Sequence, residues 1–176
     1  MADDLGKYIT SIPDFPKKGI VFRDITTLIS DPEGFRKSVD GLAHMVDGMK
    51  VDVVVGSESR GFVFGAPVAY KLGLGFVLAR KKGKLPRETI SEEYGLEYGT
   101  ATLEMHKDSI KKGDRVFIVD DLVATGGTTK AIINMVERLG GKVVKIGFVM
   151  ELAGLGAREG ALKGYDMDSL IIYPGN

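Results

Sequence analysis

The chain has 176 residues, with 24 lysines and arginines against 24 aspartates and glutamates, two histidines and no cysteine. That length reads as a single domain, 1–176, with a sizeable core; the zero net charge argues against general binding to nucleic acid or acidic membrane, and the lack of cysteine excludes disulfides and thiolate metal sites. The acidic start, Met1-Ala2-Asp3-Asp4, is unlike a secretory signal, and no apolar run nears the ~20 residues of a membrane span, so a cytoplasmic protein is expected.

Residues 5–30 carry Pro13, Pro16 and Gly19 ahead of Ile20-Val21-Phe22, which reads as loop and then a short extended piece. Asp31-Pro32-Glu33 is a helix start, with Asp as N-cap and Pro at the first helical position. Phe35, Val39, Leu42 and Val46 keep helical spacing and are expected to face the core. Residues 51–55 predict a strand, 61–72 a helix and 75–79 a second strand. Residues 81–102 break the pattern. Lys81, Lys82, Lys84, Arg87, Glu88, Glu92 and Glu93 crowd together with few apolar anchors, which fits either a mobile lid loop or a plain solvated hairpin. Strands are predicted over 102–105 and 116–119. A helix after Gly127 runs through Ile132, Met135, Val136 and Leu139 and stops at Gly140-Gly141. Residues 143–150 and 170–173 predict the last strands. His44 and His106 have no cysteine or nearby histidine as partner and read as structural.

Strands alternating with helices predict an α/β fold: a mainly parallel twisted sheet with helices on both faces. In such sheets ligands bind beyond the C-terminal strand ends. Three polar stretches fall at such ends: 56–61, 80–84 and 120–128.

The most informative stretch is Val116-Phe117-Ile118-Val119-Asp120-Asp121-Leu122-Val123-Ala124-Thr125-Gly126-Gly127-Thr128. A buried apolar strand ends in two acids, and a loop of small residues then opens a helix. Such a loop presents unpaired N–H groups, the positive end of the helix dipole and hydroxyls, which together cradle a phosphate. Asp120 and Asp121 would be out of place beside a dianion unless sugar hydroxyls need acceptors. The pattern therefore asks for a sugar phosphate, with Mg²⁺ nearby. Ser57-Glu58-Ser59-Arg60-Gly61 has the same strand–turn–helix form and offers a second anion site, with Arg60 as a planar cation.

The 116–128 stretch resembles the phosphoribosyl-pyrophosphate motif of type I phosphoribosyltransferases. Further likeness, spanning about 12–158, points to the adenine phosphoribosyltransferase branch. It is carried by Pro13-Asp14-Phe15-Pro16-Lys17-Lys18-Gly19-Ile20-Val21-Phe22-Arg23-Asp24, Glu58-Ser59-Arg60-Gly61-Phe62, residues 80–87 and Leu96-Glu97-Tyr98-Gly99. The resemblance implies a small N-terminal hood over about 1–30 and a mobile lid over about 81–102. It implies that Asp120, Asp121, Ala124, Thr125, Gly126, Gly127 and Thr128 bind the ribose 5-phosphate of 5-phosphoribosyl 1-pyrophosphate. Glu58, Ser59, Arg60, Arg80 and Lys84 would bind pyrophosphate, with a cis peptide between Glu58 and Ser59. Val21, Phe22, Arg23 and Leu155 would form the adenine pocket. Glu97 would be the catalytic acid or base, with Tyr98 closing the lid. No direct metal ligand is implied: Mg²⁺ would be held mainly by substrate, with Asp120 reaching it through water.

The implied reaction converts adenine and 5-phosphoribosyl 1-pyrophosphate to AMP and pyrophosphate, as purine salvage in a homodimer. Taken alone, Phe22 reads as a core aromatic, Glu97 as a solvated charge and Leu155 as a buried leucine. Transfer to another base, or donor sensing by a non-catalytic regulator, are the alternatives. The regulator fits less well, because the chain has no spare segment and no basic excess. The last eighteen residues carry little signal.

Overall fold

The computed structural model describes residues 5–95 and 99–175. A 3₁₀ turn at Gly6–Tyr8 leads into β1 (Thr10–Pro13) and β2 (Val21–Asp24), an antiparallel pair forming its own two-stranded sheet. Two helices follow, α1 (Thr26–Ser30) and α2 (Pro32–His44). The Asp31 side chain caps α2 by accepting from the Glu33 and Gly34 amides, as the Asp-Pro-Glu sequence predicts. The rest alternates: β3 (Val53–Ser57), α3 (Arg60–Leu72), β4 (Gly75–Lys81), β5 (Thr89–Gly95), β6 (Thr100–His106), β7 (Arg115–Val123), α4 (Gly127–Arg138), β8 (Lys142–Leu152) and β9 (Met167–Tyr173).

Seven strands form the main sheet in the order β5-β6-β4-β3-β7-β8-β9. The pairs from β4 to β9 are parallel, while β6 runs antiparallel to both β4 and β5. The expected α/β class is borne out. Period-two alternation splits the core. Val53, Val55, Val116 and Ile118 face α4, with Ile132, Ile133 and Met135. Val54, Phe117 and Val119 face the other way, onto Leu28, Leu42, Phe64 and Val68 of α1–α3. The chain crosses from one side of β3 to the other between β4 and β7, which puts the topological switch at the C-terminal ends of β3 and β7.

Two elements differ from the sequence expectation. The acids do not follow β7 but lie inside it, because β8 keeps pairing past them through Leu122↔Met150 and Val123↔Glu151. The charged stretch, expected as either a lid loop or a solvated hairpin, contains β5, paired with β6 from Thr89↔His106 to Gly95↔Thr100. Its alternate residues Ile90 and Tyr94 pack on the α4 side of the core. Between them, Glu92 accepts hydrogen bonds from Asn134 and Arg138 of α4, each 2.9 Å. A strand with so few apolar residues is held because a neighbouring helix supplies polar partners.

Candidate functional site

The site forms where β3 and β7 end side by side. β3 is buried throughout and finishes in Gly56-Ser57. A Cβ on Gly56 would stand 2.7 Å from Phe76 and 2.9 Å from the Gly61 carbonyl. On Gly61 it would stand 2.8 Å from Asp120 Oδ1 and 2.9 Å from Ser57 Oγ. These two glycines let the start of α3 close onto the acids of the neighbouring strand.

Asp120 and Asp121 are both buried. Ser57 Oγ donates to Asp120 Oδ2 at 2.5 Å, and the Asp121 amide donates to Asp120 Oδ1 at 2.9 Å. Burial and the Asp121 carboxylate push Asp120 above its usual value; the Ser57 and Asp121 donors oppose them. Asp121 Oδ2 lies 2.6 Å from Arg60 Nε, an ion pair without the alignment of a directed hydrogen bond. The pair closes the cavity side of Asp121 with a cation that is itself half exposed.

Gly126, at the N-cap of α4, has φ +84° and is backed by Leu162, Ala161 and Ala157 at 3.0–3.4 Å from an added Cβ. A side chain there would face both a strained backbone and a filled wall. Residues 57–60, 81 and 120–129 enclose a cavity of about 410 Å³. Expected donor-site residues Glu58, Ser59, Arg60, Asp120, Asp121, Ala124, Thr125, Gly126, Gly127 and Thr128 all line it. The Glu58–Ser59 peptide is cis.

Arg80 and Lys84 do not line this cavity. Arg80 Nε and Nη2 donate to the two Glu58 oxygens, each at 3.3 Å, and Nη1 donates to the Lys84 carbonyl. The Lys81 amide also donates to Glu58, and this bond, with Arg80, holds the Glu58 carboxyl below its usual value. Glu58 therefore spends its charge on the β4 end. Ser57 and Lys81 line the cavity as well, although the sequence singles out neither for a role, and Gly61 closes onto Asp120. Ser57 falls in the polar turn after the strand predicted over 51–55, and Lys81 is one cation among several.

Val21, Phe22 and Arg23 lie on β2, outside the cavity. Phe22 meets Phe15 edge-on, with ring centroids 5.3 Å apart. Leu155 is 38% exposed in a 3₁₀ turn, Ala153–Leu155, that continues β8. Behind that turn, buried Glu151 accepts from Arg158 Nε and Nη2 and from Ser169 Oγ, each at 2.8 Å. Glu97 and Tyr98 lie outside the described residues. Among the described residues no three acids or histidines gather as a metal cage.

The family model of the phosphoribosyl transferase domain matches residues 30–169. An adenine phosphoribosyltransferase of Lachnoclostridium phytofermentans is 57% identical over 171 residues, covering 97% of this chain and 98% of that one. The crystal structure of adenine phosphoribosyltransferase from Thermoanaerobacter pseudethanolicus superimposes with a TM-score of 0.93 at 53% identity, covering 98% of this chain and 100% of that one. The Saccharomyces cerevisiae adenine phosphoribosyltransferase, complexed with an imino-altritol bisphosphate and adenine, gives 0.89 at 39% identity, with 96% and 97% covered.

Proposed function

The chain belongs to the phosphoribosyl transferase domain family, and from that membership we propose that it is an adenine phosphoribosyltransferase, making AMP and pyrophosphate from adenine and 5-phosphoribosyl 1-pyrophosphate. The observation that carries this reading is the cavity itself. Two buried carboxylates, a small-residue loop at the start of α4 and the Arg60 guanidinium face one space. That is the donor set a ribose flanked by two phosphates needs.

In the reaction the N9–C1 bond forms as the bond from C1 to pyrophosphate breaks. Positive charge builds on the sugar ring and negative charge on the leaving group. Asp120 and Asp121 accept from ribose hydroxyls and hold the ring in place. The amides and hydroxyls of residues 124–128 fix the 5-phosphate, so C1 is presented in one orientation. Arg60 must exchange its Asp121 partner for the leaving group's oxygens as charge develops there, with Lys81 beside it. The adenine N9 proton has to leave, and Glu97 takes it once the lid encloses the base. Phe22 and Leu155 supply the apolar walls of the base pocket, and backbone groups of Val21 and Arg23 read the adenine edge.

Asp120 and Asp121 are already engaged by Ser57, the Asp121 amide and Arg60. Two committed carboxylates fit Mg²⁺ held mainly by donor oxygens, with Asp120 reaching it through water. When bound, the ion neutralises charge on the departing pyrophosphate. The chain acts as a homodimer in this reading, in the cytoplasm; no helix among the described residues is long and apolar enough to cross a membrane.

The test is a base panel. Purified protein, the donor and Mg²⁺ are mixed with adenine, hypoxanthine, guanine, xanthine or uracil, and pyrophosphate release is followed. Adenine should exceed hypoxanthine by at least ~10²-fold in kcat/KM, because reversed donors and acceptors in a closed pocket are left unpaired. Comparable rates with both would transfer the reading to a broader purine enzyme, and no release with any base would end it.

A further inference from the structure

Among the described residues, the hood strands share no hydrogen-bonded edge with the seven-stranded sheet. At its root the hood is tied by Thr27, whose hydroxyl accepts from the Thr10 amide and donates to the Tyr8 and Asp24 carbonyls. Those bonds fix the hinge end of β1 and β2 but not the tilt of β2 over the site. The tilt needs a contact further out along the strand, and Arg23 makes one.

The Arg23 guanidinium carbon lies 4.1 Å from the ring centroid of Tyr173, the last residue of β9. Arg23 Nη1 donates to Ser11 Oγ on the paired strand. Its Nε is buried without a hydrogen-bond partner among the described residues. So a cation drawn partly out of water is compensated largely by an aromatic face. Tyr173 itself packs against the apolar cluster that includes Leu5, Ile9 and Ile25, beneath the hood.

Tyr173 is also the cross-strand partner of Leu152. Leu152 immediately precedes the turn that carries Leu155. One pair at the end of the β8–β9 ladder thus connects both to Arg23, the neighbour of Phe22 on β2, and to the turn that carries Leu155. From Tyr173 one path runs through Arg23 into β2, and the other runs through Leu152 into the 153–155 turn.

We propose that Tyr173 is a positioning residue for base binding, its ring seating Arg23 and thereby fixing the hood strand β2 at a set distance from the Leu155 turn. The proposal rests on the reading that β2 and Leu155 receive the base. Tyr173 touches neither substrate. It acts by holding one wall of a pocket whose other wall grows from its own strand partner. The contact with Arg23 is made by the ring face, so the ring and not the phenol hydroxyl carries the function.

The experiment compares Tyr173→Leu, Tyr173→Phe, Arg23→Met and the Tyr173→Leu/Arg23→Met double variant. Two readouts are taken: steady-state kinetics for each substrate, and amide hydrogen exchange over residues 10–24 without ligand. Tyr173→Leu should raise KM for adenine about 10-fold, equivalent to about 1.4 kcal/mol. The KM for the donor should stay within about twofold, because the 120–129 loop does not hang on the hood. Exchange over 21–24 should quicken while that over β7 stays as in the parent protein. Tyr173→Phe should restore both readouts, and the double variant should be no worse than either single one, since both remove the same contact.

Unchanged exchange in the hood would overturn the anchoring role. Faster exchange with an unchanged adenine KM would overturn the positioning role and locate the failure in the base-site reading, because the hood would have moved without consequence for the base. A parallel rise in both KM values would show general loosening and would also overturn it. If Tyr173→Leu does not accumulate as folded protein, Arg23→Met carries the same test from the other side of the contact.

Discussion

Ser57, at the end of β3, donates a 2.5 Å hydrogen bond to Asp120 in the adjacent strand β7, 63 positions later in the chain. The bond crosses the point where the sheet's connections reverse direction, and it fixes one face of a carboxylate that is otherwise buried beside a second acid. Several outcomes depend on this arrangement.

The first concerns pH. Burial and Asp121 raise the Asp120 pKa, so the folded chain binds this proton more readily than the unfolded chain does. The stability contribution of Asp120 therefore falls as pH rises from the ordinary carboxylate value of 3.8 through the raised one. Asp52 has the opposite sign. Two hydrogen bonds from the Arg115 side chain and one from its amide lower its pKa, so its contribution is present above the ordinary value and is lost on acidification. Asp120→Asn should raise Tm at pH 8 by about 2–4 °C for each kcal/mol relieved, with little gain at pH 4. Asp52→Asn should lower Tm at pH 7, and the deficit should shrink progressively as pH falls below the ordinary carboxylate value. Calorimetry from pH 2 to 9 checks both. The Asp120→Asn/Asp121→Asn double variant should remain folded and lose most turnover.

Glycine at 61 is needed for the acid and not for the helix. Gly61→Ala places a methyl against Asp120 Oδ1 and Ser57 Oγ, both under 3.0 Å. The chain should still fold, because alanine suits a helix. The KM for the donor should rise at least ~10-fold as the carboxylate is displaced, a loss of about 1.4 kcal/mol. A donor KM within twofold of the parent would show that the acid has room to move.

At Gly126 the demand is on the backbone. Gly126→Val requires a branched residue at φ +84°, facing Leu162, Ala161 and Ala157. Strain of about 1–3 kcal/mol is expected there. Donor binding should fall below detection by calorimetry while adenine binding, if measured alone, is kept. Donor affinity within a factor of two of the parent would refute the cradle assigned to residues 124–128.

Glu97→Gln should lower kcat much more than it changes KM for adenine, because the amide keeps the shape of the acid but does not exchange the proton. Single-turnover quench measurements separate chemistry from product release. An unaffected chemical step with slower release would make Glu97 a lid contact only.

Next to the 153–155 turn, Arg158→Met should cost on the order of 2 kcal/mol in urea unfolding. That is less than the roughly 3–5 of a fully enclosed pair, because Arg158 is partly exposed, whereas Glu151 is buried with Ser169 as its remaining donor.

The sequence made the donor loop legible because its chemistry is local. A strand, two acids, Thr-Gly-Gly and a helix sit within thirteen residues, so composition and spacing were enough to place them in one cavity. It also conveyed the alternation of strands and helices, because the apolar runs and their glycine ends lie within single elements. What it left hidden is non-local. Ser57 gains its role only from a strand placed beside it by two crossovers. Lys81 is distinguished from Lys82 and Lys84 only by where β4 ends. The charged stretch around Glu92 looked unanchored because its partners, Asn134 and Arg138, lie more than forty positions away on α4. The last eighteen residues looked uninformative, yet Ser169 bonds Glu151 and Tyr173 meets Arg23, next to the two segments proposed to receive the base. Their partners are distant in sequence, so no local pattern could mark them.

The sheet order has an evolutionary consequence. The β5–β6 hairpin that borders the donor loop is rooted at one edge of the sheet, and the hood leans on β9 at the other. Six strand spacings of about 4.8 Å put these roots roughly 29 Å apart. Neither cover shares a strand or a helix with the other. Substitutions that reshape the hood can therefore accumulate without disturbing the β5–β6 hairpin or the small-residue loop at the start of α4. If the hood receives the base as proposed, selection for a different nucleobase would have a free edge to work on, while the cavity at the centre of the sheet stayed fixed.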